Sequence, residues 1–558
     1  MWISLVSREK AMSMARKLER DSLAPARPLY GIPFAISDNI DLAGVPTTAA
    51  CPAYSYMPTR SATVVQAMLD AGAIPIGKTN LDQFGAGLAG TRSPYGPCSS
   101  VYNSRYISGG ASAGAAVAVA SGMAGFSLGT DTAGSVRVPA AFNGLIGLKP
   151  TRGVLSATGV VPVCRTLDCV SILAPTCHDA HTVWMAARGG DPADCYSRVA
   201  RPGEGSAPWL AGRFSFGVPQ PGQLEFFGDA EAARLYAEAV AQIEALGGQK
   251  IQIDFGIFRA AATLQDSGPW IAEQYAVLRQ FIESHGEKMH REVRSMLENG
   301  RTFAAADIFA AEYKLRDLRR QCDAQFEQID FLLLPTTGAI FTHEAASAHS
   351  LQIDTNLAYY TSFVNLLDLA AVAVPGGFRP DGLPFGVSFI GKAFSEEGLL
   401  AIADRYVRTQ DVLRGLPMDL SPCPPGCVSV AVLGAYLTGQ PLNRRLTERG
   451  GRFLKACRTA PGYRLYALEG TMPMRPGLVR DPSYSGRGIE VEIWALPEDQ
   501  FGGFVAEIGP PLGIGNATLD DGQVVKCFIC EPYAVAKSTE ITRFGGWRNY
   551  LSQTMTAR

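Results

Sequence analysis

The sequence lacks several features that would place it in a large class of proteins. It has no apolar run close to the roughly 20 residues that a membrane-spanning helix needs. Its opening segment, MWISLVSREKAMSMARKLER, lacks the basic start and apolar stretch of a signal peptide and predicts an amphipathic helix. A net charge of -2 gives no general attraction to nucleic acid or anionic lipid. We therefore expect a cytoplasmic protein with no nucleic-acid or membrane partner.

The cysteines show no pattern of paired disulfides. A chain of 558 residues with 12 scattered cysteines needs no such bonds to hold its core. One arrangement could bind zinc, because four thiols are offered by Cys423, Cys427, Cys527 and Cys530. However, the last two lie in VVKCFICEP, which predicts a strand, and residues three apart on a strand point to opposite faces. We therefore predict no metal and no other cofactor.

Histidine is scarce and absent from the last part of the chain. All six histidines precede residue 415, and the final one is His349. Any acid–base chemistry beyond that point would need other side chains, such as Glu490, Glu492, Lys526 or Glu531. Because the first two alternate along IEVEIW, we expect them to form the solvent-facing side of a strand.

The composition and the hydrophobic patterns predict an α/β protein with more than one domain. Hydrophobic residues make up 47% of the chain, which allows a large core, and the length exceeds that of an ordinary domain. A strand at 28–36 is followed by helical spacing at 62–72 and a buried strand, IPIG. Residues 230–330 predict mainly helices, and FLLLPTT and AAVAVPGG predict buried strands. This alternation is typical of an α/β layer structure.

A linker divides the predicted domains. Residues 416–427 belong to the Pro-rich stretch GLPMDLSPCPPGC, which is typical of a connection. We therefore predict a first domain at 1–415 and a second at 428–558. The second alternates short strand-like runs with glycine turns, which predicts a smaller α+β domain.

A segment at 107–150 is unusually rich in Gly, Ala and Ser, with the loops SGGASAG and GTDTAGS. Small residues let backbone segments approach closely and expose N–H groups, as oxyanion sites require. They also allow tight packing of a helix on a sheet. Composition alone leaves both interpretations open.

Five motifs between Tyr30 and Thr151 resemble the amidase signature in their order and spacing. They are GIPFAISDNID, GKTNLDQFGAG, SGGASAGAA, GTDTAGSVRVPAAF and GLKPTRG. The tail segments LTGQPLNRRLTERGG, YRLYALEGT, PLGIGNATL and FGGWRNYL resemble the C-terminal domain of allophanate hydrolases. The resemblance implies the amidase-signature fold, in which helices cover a mixed β-sheet core.

The resemblance also implies a catalytic arrangement. Amidase-signature enzymes hydrolyse amides with a nucleophilic serine, a relay serine held by a cis peptide, and a lysine that accepts the proton, because a serine hydroxyl is a weak nucleophile without a base. Matched to this sequence, the nucleophile is Ser135. The oxyanion hole is formed by backbone N–H groups among Thr132, Ala133, Gly134 and Ser135.

The chain departs from the family at both other catalytic positions. Ala111 occupies the relay position and Ser37 occupies the lysine position. Alanine cannot carry a proton, and a neutral hydroxyl cannot replace an amine as a base. Ser112 is retained next to the relay position, but neighbouring residues point in different directions, and Ala115 also replaces a frequent serine. We therefore predict a degenerate triad and the loss of ordinary amide hydrolysis.

Four further residues belong to the predicted site. Tyr275 and Arg279 lie one helical turn apart in GPWIAEQYAVLRQF, a region that the resemblance implies binds a small anionic substrate. Their alternative role is a packed tyrosine beside a surface arginine. Asp131 and Arg137 are predicted to support the nucleophile loop.

Three functions stay open at this point. The favoured one is a repurposed enzyme that acts on a small ureido, carbamoyl or malonamoyl-type substrate by acyl transfer, condensation or related chemistry. The second is a weak or unusual amide hydrolase that uses Ser135. The third is a non-catalytic binding or partner subunit. The expected partner is a small-molecule substrate, and a homodimer is compatible with the sequence.

Overall fold

The chain forms two compact units, Met1–Pro417 and Met418–Arg558. In this computed structural model the described residues are 1–558 except 22–23, 25–26, 202–203, 206, 208, 210–212, 267, 411–425, 471–472, 521 and 556–558. Most of the predicted linker 416–427 therefore lies outside the described residues. The division falls where the sequence predicts a linker, and the limits 1–415 and 428–558 stay a prediction.

An eleven-stranded mixed sheet forms the centre of the first unit. Its strands are β1 Trp2–Leu5, β2 Pro33–Ser37, β3 Ile74–Thr79, β4 Phe126–Asp131, β5 Ile146–Lys149, β6 Cys169–Ala174, β7 Phe214–Pro219, β8 Gly248–Ile253, β9 Phe331–Pro335, β10 Ala370–Phe378 and β11 Pro384–Gly391. They lie in the order β1-β3-β2-β4-β6-β5-β10-β11-β9-β7-β8. Strands β4, β5 and β6 are buried along their whole length, so the predicted nucleophile motif follows a strand in the core of the first unit.

Helices cover this sheet, which confirms the predicted α/β class. They are α1 Arg8–Arg20, α2 Thr63–Asp70, α3 Ala113–Ala120, α4 Arg137–Phe142, α5 Cys177–Ala187, α6 Ala230–Ala245, α7 Gly256–Asp266, α8 Trp270–His285, α9 Arg291–Glu298, α10 Ala305–Gln325, α11 His343–Ala348, α12 Ser350–Ala358, α13 Phe363–Leu366 and α14 Glu396–Thr409. Among the described residues, no helix is both long enough and apolar enough to cross a membrane.

Two predicted elements begin later than expected. The opening residues form β1, which pairs with β3, and helix α1 begins only after Ser7, whose hydroxyl accepts from the backbone N–H of Lys10. The strand predicted at 28–36 begins at Pro33, because Gly31 adopts a φ of 73° that breaks the extended conformation. Sheet pairing and a single glycine therefore set these boundaries.

The small residues of 107–150 pack a helix closely against the sheet. Helix α3 is almost entirely buried and lies on β2 and β4. A side chain at Gly129 of β4 would come within 2.6 Å of Ser112 Oγ and 3.0 Å of Val136, so only glycine fits there. Tight packing is thus one role of this composition, and the segments that it brings together carry the predicted site.

The second unit has a core and sheets of its own. Its strands are β12 Cys427–Val432, β13 Arg452–Arg458, β14 Tyr463–Leu468, β15 Arg475–Arg480, β16 Glu490–Pro497, β17 Leu512–Thr518, β18 Val524–Cys530 and β19 Thr539–Glu540. They form the sheets β13-β16-β12-β18-β17 and β15-β14-β19. Its helices are α15 Arg444–Thr447, α16 Glu498–Ala506, α17 Pro532–Val535 and α18 Trp547–Met555. Within the described ranges, no strand of this unit joins the eleven-stranded sheet.

One prediction for the second unit is wrong. Glu492 on β16 does not face solvent but is buried, with 3% of its surface exposed. Its carboxylate accepts from the N–H and hydroxyl of Thr438, from Trp494 Nε1 and from Arg548. Helix α18 brings Arg548 over the strand, so a contact distant in sequence determines this burial.

Candidate active site

The loop that follows β4 is held by a buried ion pair. Both carboxylate oxygens of Asp131 accept from the guanidinium of Arg137, at 3.0 Å and 2.8 Å. They also accept from the backbone N–H groups of Gly134 at 2.9 Å and Val136 at 3.2 Å. Burial opposes ionisation, but Arg137 and these donors lower the pKa of Asp131 below its ordinary value. The pair therefore fixes the backbone on both sides of Ser135.

The backbone N–H groups of the predicted oxyanion hole differ in whether they already donate a hydrogen bond. The N–H of Gly134 already donates to Asp131, whereas those of Thr132, Ala133 and Ser135 have no acceptor within the described part of the chain. Gly134 has a φ of 126°, and a Cβ there would lie 2.5 Å from the Thr361 hydroxyl. Glycine is thus required for this close turn, and the three unengaged N–H groups are the donors on which the oxyanion-hole prediction now rests.

The segment that carries the relay position lies beside the nucleophile. The peptide bond between Gly110 and Ala111 is cis, and the backbone N–H of Ser112 donates to the carbonyl of Ser135 at 3.0 Å. The Ser112 hydroxyl points to the sheet instead, where it donates to the carbonyl of Thr130 at 3.3 Å. The Ser112 hydroxyl is therefore engaged with β4, and the prediction that Ser112 does not act as a relay stays a prediction.

Ser37 lies on the same face of the sheet as this segment. In the parallel pairing of β2 with β4, Ile36 faces Leu128, so Ser37 and Gly129 share the opposite face. That face packs against Ser112, as the close approach at Gly129 shows. Ser37 is fully buried, and its hydroxyl has no hydrogen-bond partner among the described residues. The lysine position and the relay position thus meet on one side of β4.

A nearby lysine, Lys78, lies on the other side of the sheet from Ser37. Lys78 on β3 is the register partner of Ile36, so alternation directs it to the face opposite to Ser37. Its ammonium group lies 3.0 Å from the Thr47 hydroxyl and 3.4 Å from the carboxylate of Asp38. Burial lowers the pKa of Lys78, but its position commits it to this buried ion pair.

Comparison with known proteins identifies the family to which the first unit is similar. The family model described as Amidase matches residues 2–400. The chain belongs to the amidase-signature family. A second model, the allophanate hydrolase C-terminal domain, matches residues 428–552.

Nearly the whole of this chain is similar to two urea amidolyases and to an allophanate hydrolase. The chain is 39% identical to the urea amidolyases of Lachancea kluyveri and of Saccharomyces cerevisiae, over 99% of its own length and 31% of theirs. It thus spans about a third of these curated relatives. It is also 39% identical to the solved allophanate hydrolase of Kluyveromyces lactis, with a TM-score of 0.71, covering 99% of this chain and 93% of that one. The predicted resemblance is therefore confirmed.

The three positions that match the catalytic positions of the amidase-signature family lie close together in this chain. Two of them hold a residue type that differs from the family's. Ser135, Ala111 and Ser37 come from three segments that pack around β4. Of the three, Ser135 is the residue whose type matches the position that it occupies in the family motif. The hydroxyl of Ser135 makes no hydrogen bond to the described residues, and no lysine extends from position 37. The assignment of their roles stays a prediction.

Helix α8 holds the two predicted substrate-binding residues through contacts of its own. The Tyr275 hydroxyl donates to Glu283 at 3.0 Å and accepts from Arg301 at 2.8 Å. Arg279 is largely exposed and donates to the same Glu283 at 3.0 Å. This geometry matches the alternative of a packed tyrosine beside a surface arginine, and a substrate contact by Tyr275 or Arg279 stays a prediction.

Several residues that support the nucleophile loop were not found from the sequence. Asn365 donates to the carbonyls of Asp131 at 2.7 Å and Leu167 at 2.9 Å and accepts from Arg137. Gln265 donates to the carbonyl of Thr132 at 2.9 Å. Both lie in helices more than a hundred positions from the loop, and no local motif marks them.

The described cysteines of the second unit belong to no cluster of potential metal ligands. Cys527 and Cys530 are buried on β18, the strand that the sequence predicts, and Cys423 lies outside the described residues. Within the described part of the chain, no three His, Cys, Asp or Glu side chains are grouped to hold a metal ion. The absence of a metal stays a prediction.

Proposed function

We propose that this chain is an allophanate hydrolase-like protein that no longer performs ordinary amide hydrolysis. We infer that it acts on a small ureido, carbamoyl or malonamoyl-type substrate by acyl transfer, condensation or related chemistry. The observation that supports this proposal most is that Ser37 and Ala111 stand at the base and relay positions, while Asp131 and Arg137 hold the loop of Ser135. The substrate class follows from the allophanate hydrolase and urea amidolyase relatives.

The size of the expected loss follows from the chemistry. General acid–base assistance contributes about 10²–10⁴-fold to a rate. Groups that act as a coupled unit can account for roughly 10⁶-fold. The backbone donors near Ser135 do not depend on Ser37 or Ala111, so they remain able to stabilise a developing negative charge. We infer that the site retains electrostatic stabilisation and has lost proton transfer.

Ammonia release tests this proposal. The purified chain is incubated with allophanate and with acetamide, and ammonia is measured against a reaction without protein. We expect no release near the roughly 1–10³ per second that is typical of enzymes. Release within that range would contradict the proposal, because it would require a base that the site lacks in our account.

The Ser135→Ala variant separates the alternatives in the same assay. A weak hydrolase predicts slow ammonia release that this substitution abolishes. A non-catalytic partner subunit predicts no release in either protein and no small ligand near the N–H groups of Ala133 and Ser135. The expected cytoplasmic location and homodimer belong to this proposal and rest on the sequence alone.

A further inference from the structure

A pocket of about 720 Å³ in the first unit is lined by a residue that is hydrogen-bonded to the loop of Ser135. The wall is formed by the segment 157–168, the segment 193–196 and helix α8. Asp168 belongs to this wall, and its carboxylate accepts from the Thr132 hydroxyl at 2.6 Å. A molecule in the pocket is therefore one side chain away from the first residue of the predicted oxyanion loop.

The other oxygen of Asp168 is held by its own segment. It accepts from the backbone N–H groups of Val163 at 2.8 Å and Cys164 at 3.0 Å. The carbonyl of Thr132 accepts from Gln265, so this residue is held at its side chain and at its backbone. Asp168 is thus a fixed connection between the pocket wall and the loop of Ser135.

Helix α8 is bonded to the same wall segment. Glu273 accepts from the Thr166 N–H at 2.8 Å and from its hydroxyl at 2.6 Å, and the Cys164 thiol lies 3.1 Å from it. Glu273 itself lines the pocket. The helix, the wall segment and the nucleophile loop therefore form one continuous chain of hydrogen bonds.

The charges of the wall indicate what the pocket accepts. Three carboxyl groups line it, from Asp168, Asp194 and Glu273, against a single guanidinium, from Arg165. Carboxylates accept hydrogen bonds and offer no donor when ionised. A ligand with several N–H groups suits this wall, whereas a multiply charged anion does not.

We propose that Asp168 binds an N–H group of a small ureido or carbamoyl ligand in this pocket and, through Thr132, links that ligand to the nucleophile loop. This inference rests on the proposed function and deepens it, because it names the group that recognises the substrate class. Asp168 is a positioning residue for Ser135, since it acts on the loop through Thr132.

If Asp168 binds the ligand, the affinity should depend on the protonation of its carboxyl group. A purely structural role of Asp168 would not give this pH dependence. Burial, assisted by the nearby charge of Glu273, raises its pKa to about 7 against the donors that lower it. A ligand N–H needs the ionised form. Affinity should therefore fall as the pH drops below 7, by about tenfold per unit. The charged groups that face the same space are Arg165, Asp194 and Glu273, and the Cys164 thiol adjoins it.

Binding of biuret, a small ureido compound, tests the proposal without turnover. Calorimetry at pH 8 should show that Asp168→Asn weakens biuret binding at least about tenfold and removes the pH dependence below 7. Asp179→Asn is the matched control, because Asp179 also accepts from a threonine hydroxyl at 2.6 Å but lies in the first turn of helix α5 and does not line the pocket. This control should bind biuret as the wild type does. Thermal melting identifies variants that fail to fold, and Asp168→Ser, which also removes the carboxylate, replaces Asp168→Asn in that case.

Hydrogen exchange tests the link to the loop. Biuret should slow exchange of the peptide 129–137 in the wild type, and Thr132→Val should bind biuret yet lose that slowing. Absence of biuret binding to the wild type, or equal binding to folded Asp168→Asn, would overturn the inference. Ammonia release by the wild type would contradict the proposed function alone, so the two failures are distinguishable.

Discussion

At the scale of single residues, a network of buried hydrogen bonds holds the loop around Ser135. Asp131 and Arg137 hold the loop around Ser135, and Asn365 and Gln265 reinforce it from distant helices. In the proposed function, Ser37 and Ala111 stand at the base and relay positions of the family, and the buried Ser37 hydroxyl has no hydrogen-bond partner among the described residues. The contacts that hold the loop are observed, whereas the loss of the acid–base pair is proposed.

The buried ion pair leads to a prediction about stability. Arg137→Ala leaves the carboxylate of Asp131 buried without its partner, which typically costs about 3–5 kcal/mol. We expect this loss in the unfolding free energy of the first unit, measured by urea denaturation. Arg234→Ala is the control, because the ion pairs that Arg234 forms among the described residues, with Glu231 and Glu238, lie on the surface of α6. Equal midpoints for the two variants would contradict this role of Arg137.

At the scale of elements, the hydrophobic patterns predicted whether most segments are helices or strands. They did not predict every contact between these elements. The helix at 62–72 and the strand IPIG agree with α2 and β3, because both bury a regular apolar face. Glu492 was assigned to the wrong face of β16. Strand alternation is a local property. It does not show that Arg548 and Trp494 donate hydrogen bonds to the Glu492 carboxylate and so allow it to be buried.

The burial of Glu492 makes a second stability prediction. Glu492→Gln replaces an acceptor oxygen with an N–H₂ group that faces other donors, so the second unit should lose about 1–3 kcal/mol. Urea denaturation of the full chain measures this loss. Glu448→Gln, at an exposed position after α15, is the control and should leave the unfolding transition unchanged.

The same contact sets a pH dependence. Burial opposes ionisation of Glu492, but Arg548 and the Thr438 and Trp494 donors lower its pKa below the ordinary 4.5. A lowered folded pKa contributes stability that is present above 4.5 and is lost as the pH falls through the folded value. The difference between the wild type and Glu492→Gln should therefore shrink below pH 4.5. A constant difference down to pH 2 would contradict this assignment.

At the scale of the whole molecule, the sequence predicted the class and the division into two parts. The motifs are contiguous in sequence, so they could be matched to Ser135, Ala111 and Ser37 without coordinates. The link from Asp168 to Thr132 could not, because it depends on how the segment after β5 folds back on the loop after β4. Such contacts follow from the topology of the sheet, which local patterns do not specify.

The central claim is that two residues account for the loss of amide hydrolysis, and one measurement tests it directly. Ammonia release from allophanate is compared among the wild type, Ser37→Lys, Ala111→Ser and the double variant. Because base and relay act as a unit, each single variant should stay near background. The double variant should gain at least about 10²-fold, and Ser135→Ala should abolish the gain. A folded double variant that remains inactive, or a wild type as active as the double variant, would contradict the account.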